Sequence, residues 1–97
     1  MSKFRSESID RLFEAVLNLE TVEECYDFFE DVCTIKEMRD MAQRLDVAIL
    51  LDNKKNYQEI AEATAVSTAT ISRVSKCLNY GTGGYRTAID RLGGDKK

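Results

Sequence analysis

Residues 57–78 read YQEIAEATAVSTATISRVSKCL, and their spacing decides how the rest of the chain is organised. Ile60, Ala61 and Thr64 recur at i, i+1 and i+4, while Ile71, Val74, Ser75 and Leu78 recur at i, i+3, i+4 and i+7. Each set is one face of a helix. Between them stands Ala65-Val66-Ser67, with Ser67 placed to cap the second helix through its hydroxyl. Small Ala61 allows close helix approach, and Val66 can plug the turn from inside. The layout predicts a helix-turn-helix, a motif whose second helix enters the DNA major groove.

The opposite face of that second helix has the matching chemistry. Ala69, Ser72, Arg73 and Lys76 share it at i, i+3, i+4 and i+7, and none is acidic. Small side chains let a backbone lie close to a groove, and a serine hydroxyl can donate to or accept from base edges. Arg73 and Lys76 can reach guanine edges or phosphates. Thr68, Ala69 and Ser72 are the candidate base contacts, flanked by Ser67 and Thr70, while Gln58, Arg73 and Lys76 are candidates for the DNA backbone. An ordinary helical hairpin with a solvated face is the plainer alternative; small residues, cap and charge together argue against it.

Upstream, Asp52-Asn53-Lys54-Lys55-Asn56 reads as a polar turn, and Lys54 and Lys55 suit phosphate contact or plain loop solubility equally well. Before it, Ile9, Leu12, Phe13, Val16 and Leu17 set a first helix from about Glu7 to Leu19. Thr21 and Glu24 have capping-box spacing and open a second helix carrying Cys25, Tyr26, Phe28, Phe29 and Val32. The phenylalanines suit a core or subunit interface better than a ligand box. Thr34 and Glu37 repeat the spacing for a third helix with Ile35, Met38, Met41, Ala42, Leu45, Ala48 and Ile49 inward. Its end, Val47 to Leu51, is apolar on every side, which in so small a chain suggests cover by a second subunit. Downstream, the glycine-rich stretch 79–85 lacks phosphate-loop spacing and reads as a helix end and turn. Tyr85 to Leu92 makes a short final helix, and Gly93 to Lys97 a frayed tail.

Composition sets the bounds. Ninety-seven residues without proline, rich in periodic segments, imply one all-α domain, small enough that a partner subunit helps complete the core. Residues of about 7–53 would be dimerisation helices, 57–78 the DNA-reading head, and 79–97 a C-terminal turn, short helix and tail. The N-terminus is polar with no signal-peptide core, and no apolar run spans a membrane, so a cytoplasmic protein is expected. Cys25, Cys33 and Cys77 lack CxxC spacing and are expected as buried, reduced thiols. Without histidine, and with no clustered metal ligands, there is no candidate catalytic or metal site and no implied cofactor. The net charge of −3 conceals an asymmetry. Residues 1–53 hold 6 Lys/Arg against 13 Asp/Glu, and residues 54–97 hold 8 against 4, or −7 and +4. Beyond about 10 Å charges are screened, so the local positive sign favours DNA at the C-terminal half.

Thr34-x-x-Glu37, Arg44 and the segment ending Thr70-Ile71-Ser72-Arg73 together resemble the Trp repressor family, and within it the TrpR-related branch labelled YerC/YecD. The resemblance runs from about Leu12 to Leu92 and is densest from Thr34 to Leu78. It implies six helices, an intertwined homodimer, a head formed by the fourth and fifth helices, and a palindromic double-stranded operator. In tryptophan-responsive members a co-repressor pocket lies between two arginines, matching Arg44 and Arg73, with a threonine matching Thr34. Two pocket positions depart: a family glycine is replaced by Val74 and a serine by Cys77. Valine would occupy space the indole needs, with Cys77 filling beside it, so DNA binding without tryptophan is expected. The resulting reading is a dimeric, sequence-specific transcriptional regulator of the repressor type. The rival is a protein-interaction module that kept the fold without an operator.

Overall fold

The structure, a computed structural model, describes residues 5–94. Six α-helices follow one another: α1 Glu7–Leu17, α2 Val22–Val32, α3 Ile35–Asp52, α4 Tyr57–Thr64, α5 Thr68–Tyr80 and α6 Gly84–Gly94. No strand occurs among the described residues, and none of their helices is long and apolar enough to cross a membrane.

Side-chain caps explain most of the helix starts. Ser6 accepts from the Ile9 N–H at 3.1 Å, and Thr21 from Glu24 at 3.0 Å. The Glu24 carboxylate reaches back to the N–H of Glu20 rather than of Thr21, one residue earlier than a capping box requires. Thr34 and Glu37 form the full reciprocal box at α3, at 2.8 and 3.1 Å. The same box at α4, Asn56 with Glu59, lies inside the segment expected to be only a polar turn. Helix ends also differ from expectation. After α1, Leu19 donates to the Val16 carbonyl, a tightened turn that stops the helix at Leu17. α5 continues past Leu78 to Tyr80 and closes on the Gly81 N–H, which donates to Cys77 at 2.9 Å. A side chain at Gly81 would collide with that same Cys77 carbonyl. Gly83, at φ 91°, turns the chain into α6. Gly93 and Gly94 are helical where a frayed tail was expected; Asp95 to Lys97 lie outside the described residues.

The described residues divide into two compact units between Met38 and Arg39, inside α3. The second unit holds the core. Val47 and Ala48 of α3, Ile60 of α4, and Ile71 and Val74 of α5 are buried, with Leu50, Leu51, Ala61, Val66, Tyr85 and Ile89 packed against them. Burying one valine or isoleucine contributes about 1.5–3 kcal/mol. Within its own chain the apolar end of α3 is covered fully at Val47 and Ala48 and in part at Ile49, Leu50 and Leu51. The expected inner face of α3 is covered only toward its end: Ile35, Met41 and Ala42 are exposed, because the packing against α3 falls on its last turns.

In the first unit α1 and α2 bury no residue. Phe28 and Phe29 are half-buried and meet edge to face, with ring centroids 5.3 Å apart at 86°. Leu17 is 82% exposed, Val22 70% and Ile35 72%.

Candidate nucleic-acid interface

α4 and α5 are joined by three residues whose conformation is set by Ala65, in the left-handed region at φ 60°, ψ 20°. Its N–H closes α4 on the Ala61 carbonyl at 2.9 Å. Thr64, half-buried, donates its hydroxyl to the Ile60 carbonyl at 2.7 Å. Val66 is half-buried and packs on the core, as its role in the turn requires. Ser67 then caps α5, accepting the Thr70 N–H at 3.2 Å while its hydroxyl donates to Thr70 Oγ1 at 3.2 Å.

The two faces of α5 separate as their spacing requires. Ile71 and Val74 are buried, and Ser75 and Leu78 half-buried. Thr68, Ala69, Ser72, Arg73 and Lys76 are exposed, as are Ser67 and, on α4, Gln58. Thr70 is half-buried, with its hydroxyl oxygen accepting from Ser67. The side chains of Thr68, Ser72, Arg73 and Lys76 form no hydrogen bond or ion pair among the described residues. Two hydroxyls, a guanidinium and an ammonium thus stand on one solvent-facing surface with their donors free. No carboxylate occurs in the first turn of α5. Lys54 and Lys55 are exposed in the turn before α4; Lys54 is itself left-handed, at φ 66°.

The residues matched to a co-repressor pocket have separate fates. The Thr34 hydroxyl caps α3 by accepting the Glu37 N–H, while the Glu37 carboxylate accepts from the Thr34 N–H and is held below its ordinary range. The leading cause is the hydrogen bond from the Thr34 backbone N–H, followed by that from its hydroxyl. Arg44 and Arg73 are exposed. Val74 is only 2% exposed and belongs to the core. Cys77 is exposed rather than buried with Val74, since at i+4 from Arg73 it lies toward the outer side of α5. Cys25 and Cys33 are half-buried, so the expectation of three buried thiols fails most clearly at Cys77.

One polar contact had no signal in the sequence. Arg86 Nη1 lies 2.7 Å from Asp52 Oδ1, joining α6 to the end of α3 across 34 residues, and 3.8 Å from Asp90. The Arg86 guanidinium is held above its ordinary range, first by its hydrogen bond to Asp52 and then by that carboxylate's charge.

The family model for the Trp repressor protein matches residues 7–93 of this chain. The uncharacterised protein YerC of Bacillus subtilis (strain 168) is 49% identical over 92 residues, covering 95% of this chain and 88% of that one. The crystal structure of a TrpR-like protein from Eubacterium eligens superposes with a TM-score of 0.90 at 49% identity, covering 94% of each chain. A Staphylococcus aureus protein, solved as a candidate Trp repressor, gives 0.89 at 43% identity, covering 94% of this chain and 91% of that one.

Proposed function

Since this chain belongs to the Trp repressor family, we propose that it is a sequence-specific, double-stranded-DNA-binding transcriptional regulator, a repressor acting as a homodimer. α4 and α5 form its helix-turn-helix. The observation that carries this reading is the exposed face of α5, where Thr68, Ser72, Arg73 and Lys76 have no partner among the described residues while Ile71 and Val74 anchor the other side. Thr68, Ala69 and Ser72 meet base edges; Gln58, Arg73 and Lys76 meet the DNA backbone, with Lys54 and Lys55 available to flanking phosphates. So small a reading face leaves part of the specificity to water and DNA shape. A homodimer reads a palindromic operator.

DNA binding by this protein is independent of tryptophan. Val74 packs with Ile71 and Ile60, filling from within the chain the space beneath α5 that a smaller residue would leave open. The core supports α5 permanently, without a ligand to prop it.

Selection of duplexes from random DNA, followed by titration in rising salt, tests the reading. A DNA regulator yields a consensus and loses affinity with a log–log slope of about −0.9 per neutralised phosphate. The double variant Arg73→Ala, Lys76→Ala lowers that slope by roughly two. Addition of millimolar L-tryptophan leaves the affinity unchanged and gives no saturable heat. A protein-interaction module would instead give no consensus and almost no salt dependence.

A further inference from the structure

The geometry points to Arg86 and Asp52 as positioning residues that fix the pose of α5 for DNA; this rests on the reading of α5 as the DNA-facing helix. Asp52 is the last residue of α3, and Arg86 the third of α6. A helix carries partial negative charge at its C-terminus and partial positive charge at its N-terminus, so each of these side chains stands at the electrostatically wrong end of its helix. Their meeting at 2.7 Å offsets both misplacements.

The pair closes a ring of packing around α5. α5 packs on α4 and on α6, and Tyr85 and Ile89 of α6 press on the core that contains Ile71 and Val74. α3 supplies Val47 and Ala48 to the same core. The connection between α5 and α6 contains Gly81 and Gly83 and is too permissive to set the angle of α6 by itself. Tyr85 and Ile89 are only half-buried, so the bond from Arg86 to Asp52 supplies the directional restraint that apolar packing lacks. The Arg86 side chain is 45% exposed and that of Asp52 31%. Such a pair adds little to global stability. Its leverage is on geometry: tilting α6 shifts the support under Ile71 and Val74, and with it the side chains facing DNA.

Charge reversal and swap test the assignment, with a duplex selected on the unaltered protein. Affinity is measured far below each variant's unfolding temperature, with helix content confirmed by circular dichroism. Arg86→Gln and Arg86→Asp should weaken binding roughly three- to tenfold, with an unchanged salt slope. The double swap Asp52→Arg, Arg86→Asp should restore most of the affinity, since it rebuilds the pair and places each charge at the favourable helix end. Three results overturn the proposal. Unchanged affinity in the single variants, even with a lowered unfolding temperature, makes the pair merely structural. A swap that stays weak with its slope reduced by about one makes Arg86 a phosphate contact. If the unaltered protein selects no duplex, the regulator reading fails and this assignment falls with it; binding that ignores position 86 removes this assignment alone.

Discussion

The stretch from Arg39 onward and the stretch before it are built by the same local rules and end in opposite states. Both use capped helices with an apolar stripe, and the Thr34 box is as complete as the Asn56 box. Yet all five buried apolar side chains among the described residues lie after Arg39. α1 and α2 bury none, and leave Leu12, Phe13, Leu17, Val22, Tyr26 and Val32 exposed. Caps and periodicity form helices; they do not decide what covers the stripe. The proposed homodimer would give those uncovered faces a second subunit to pack on.

The largest expected effect breaks that contrast directly. Leu17→Glu with Ile35→Glu alters two residues exposed in the single chain, so packing within the chain predicts almost no change. The homodimer reading predicts loss of association: sedimentation at low micromolar concentration should fall from about twice the chain mass to one. An unchanged mass would show that α1 and the start of α3 lie outside the subunit contact. Next is the opposite region. Ile71→Ala opens a cavity in a core of five residues and should cost about 2–5 kcal/mol by urea unfolding. A cost under 1 kcal/mol would mean that this core is not what holds the second region together.

Two smaller effects sharpen the comparison. Ala65 is left-handed at φ 60°, where a Cβ is unfavourable, so Ala65→Gly should stabilise the protein by about 0.5–1 kcal/mol, seen as a raised unfolding midpoint. A lowered midpoint would show that the methyl group contributes packing that outweighs the relief. The smallest concerns the first region. The Glu37 carboxyl is held below its ordinary value of 4.5, so its contribution is complete above that value and is lost as pH falls through the lower, folded one. The Thr34 amide, donor to Glu37 Oε1, should lose hydrogen-exchange protection in that acid range before the amides of α5 do. Simultaneous loss would mean that the two regions melt as one.

Much of this was legible in residue spacing. The six helices, the Ser67 cap and the buried Ile71 and Val74 opposite exposed Ser72, Arg73 and Lys76 all follow from it. The Asn56-x-x-Glu59 spacing is equally a capping-box signal, though it lies at the end of a run of polar residues that also fits a plain turn. Periodicity identifies a face without naming its cover. Hence the all-round apolar end of α3 does not tell how its cover divides: its own chain buries Val47 and Ala48 but covers Ile49, Leu50 and Leu51 only in part, and Met41 and Ala42, inward by spacing, are exposed. Cys77 failed for a related reason: at i+3 it neighbours Val74, but on the side toward Arg73 and away from Ile71, where it is exposed. The bond between Asp52 and Arg86 could not be foreseen, since nothing in either residue's neighbourhood specifies a partner 34 positions away.

The position of the core along the chain sets an order of events at the ribosome. Synthesis begins at the N-terminus, so α1 and α2 are made first, before any residue of the buried cluster exists. Those two helices are thus made with no part of that cluster yet present, and their own apolar side chains are exposed as they form. The part able to bury its own side chains is finished last. Order of synthesis and order of consolidation run in opposite directions, and the interval between them is when this chain most needs protection from wrong associations.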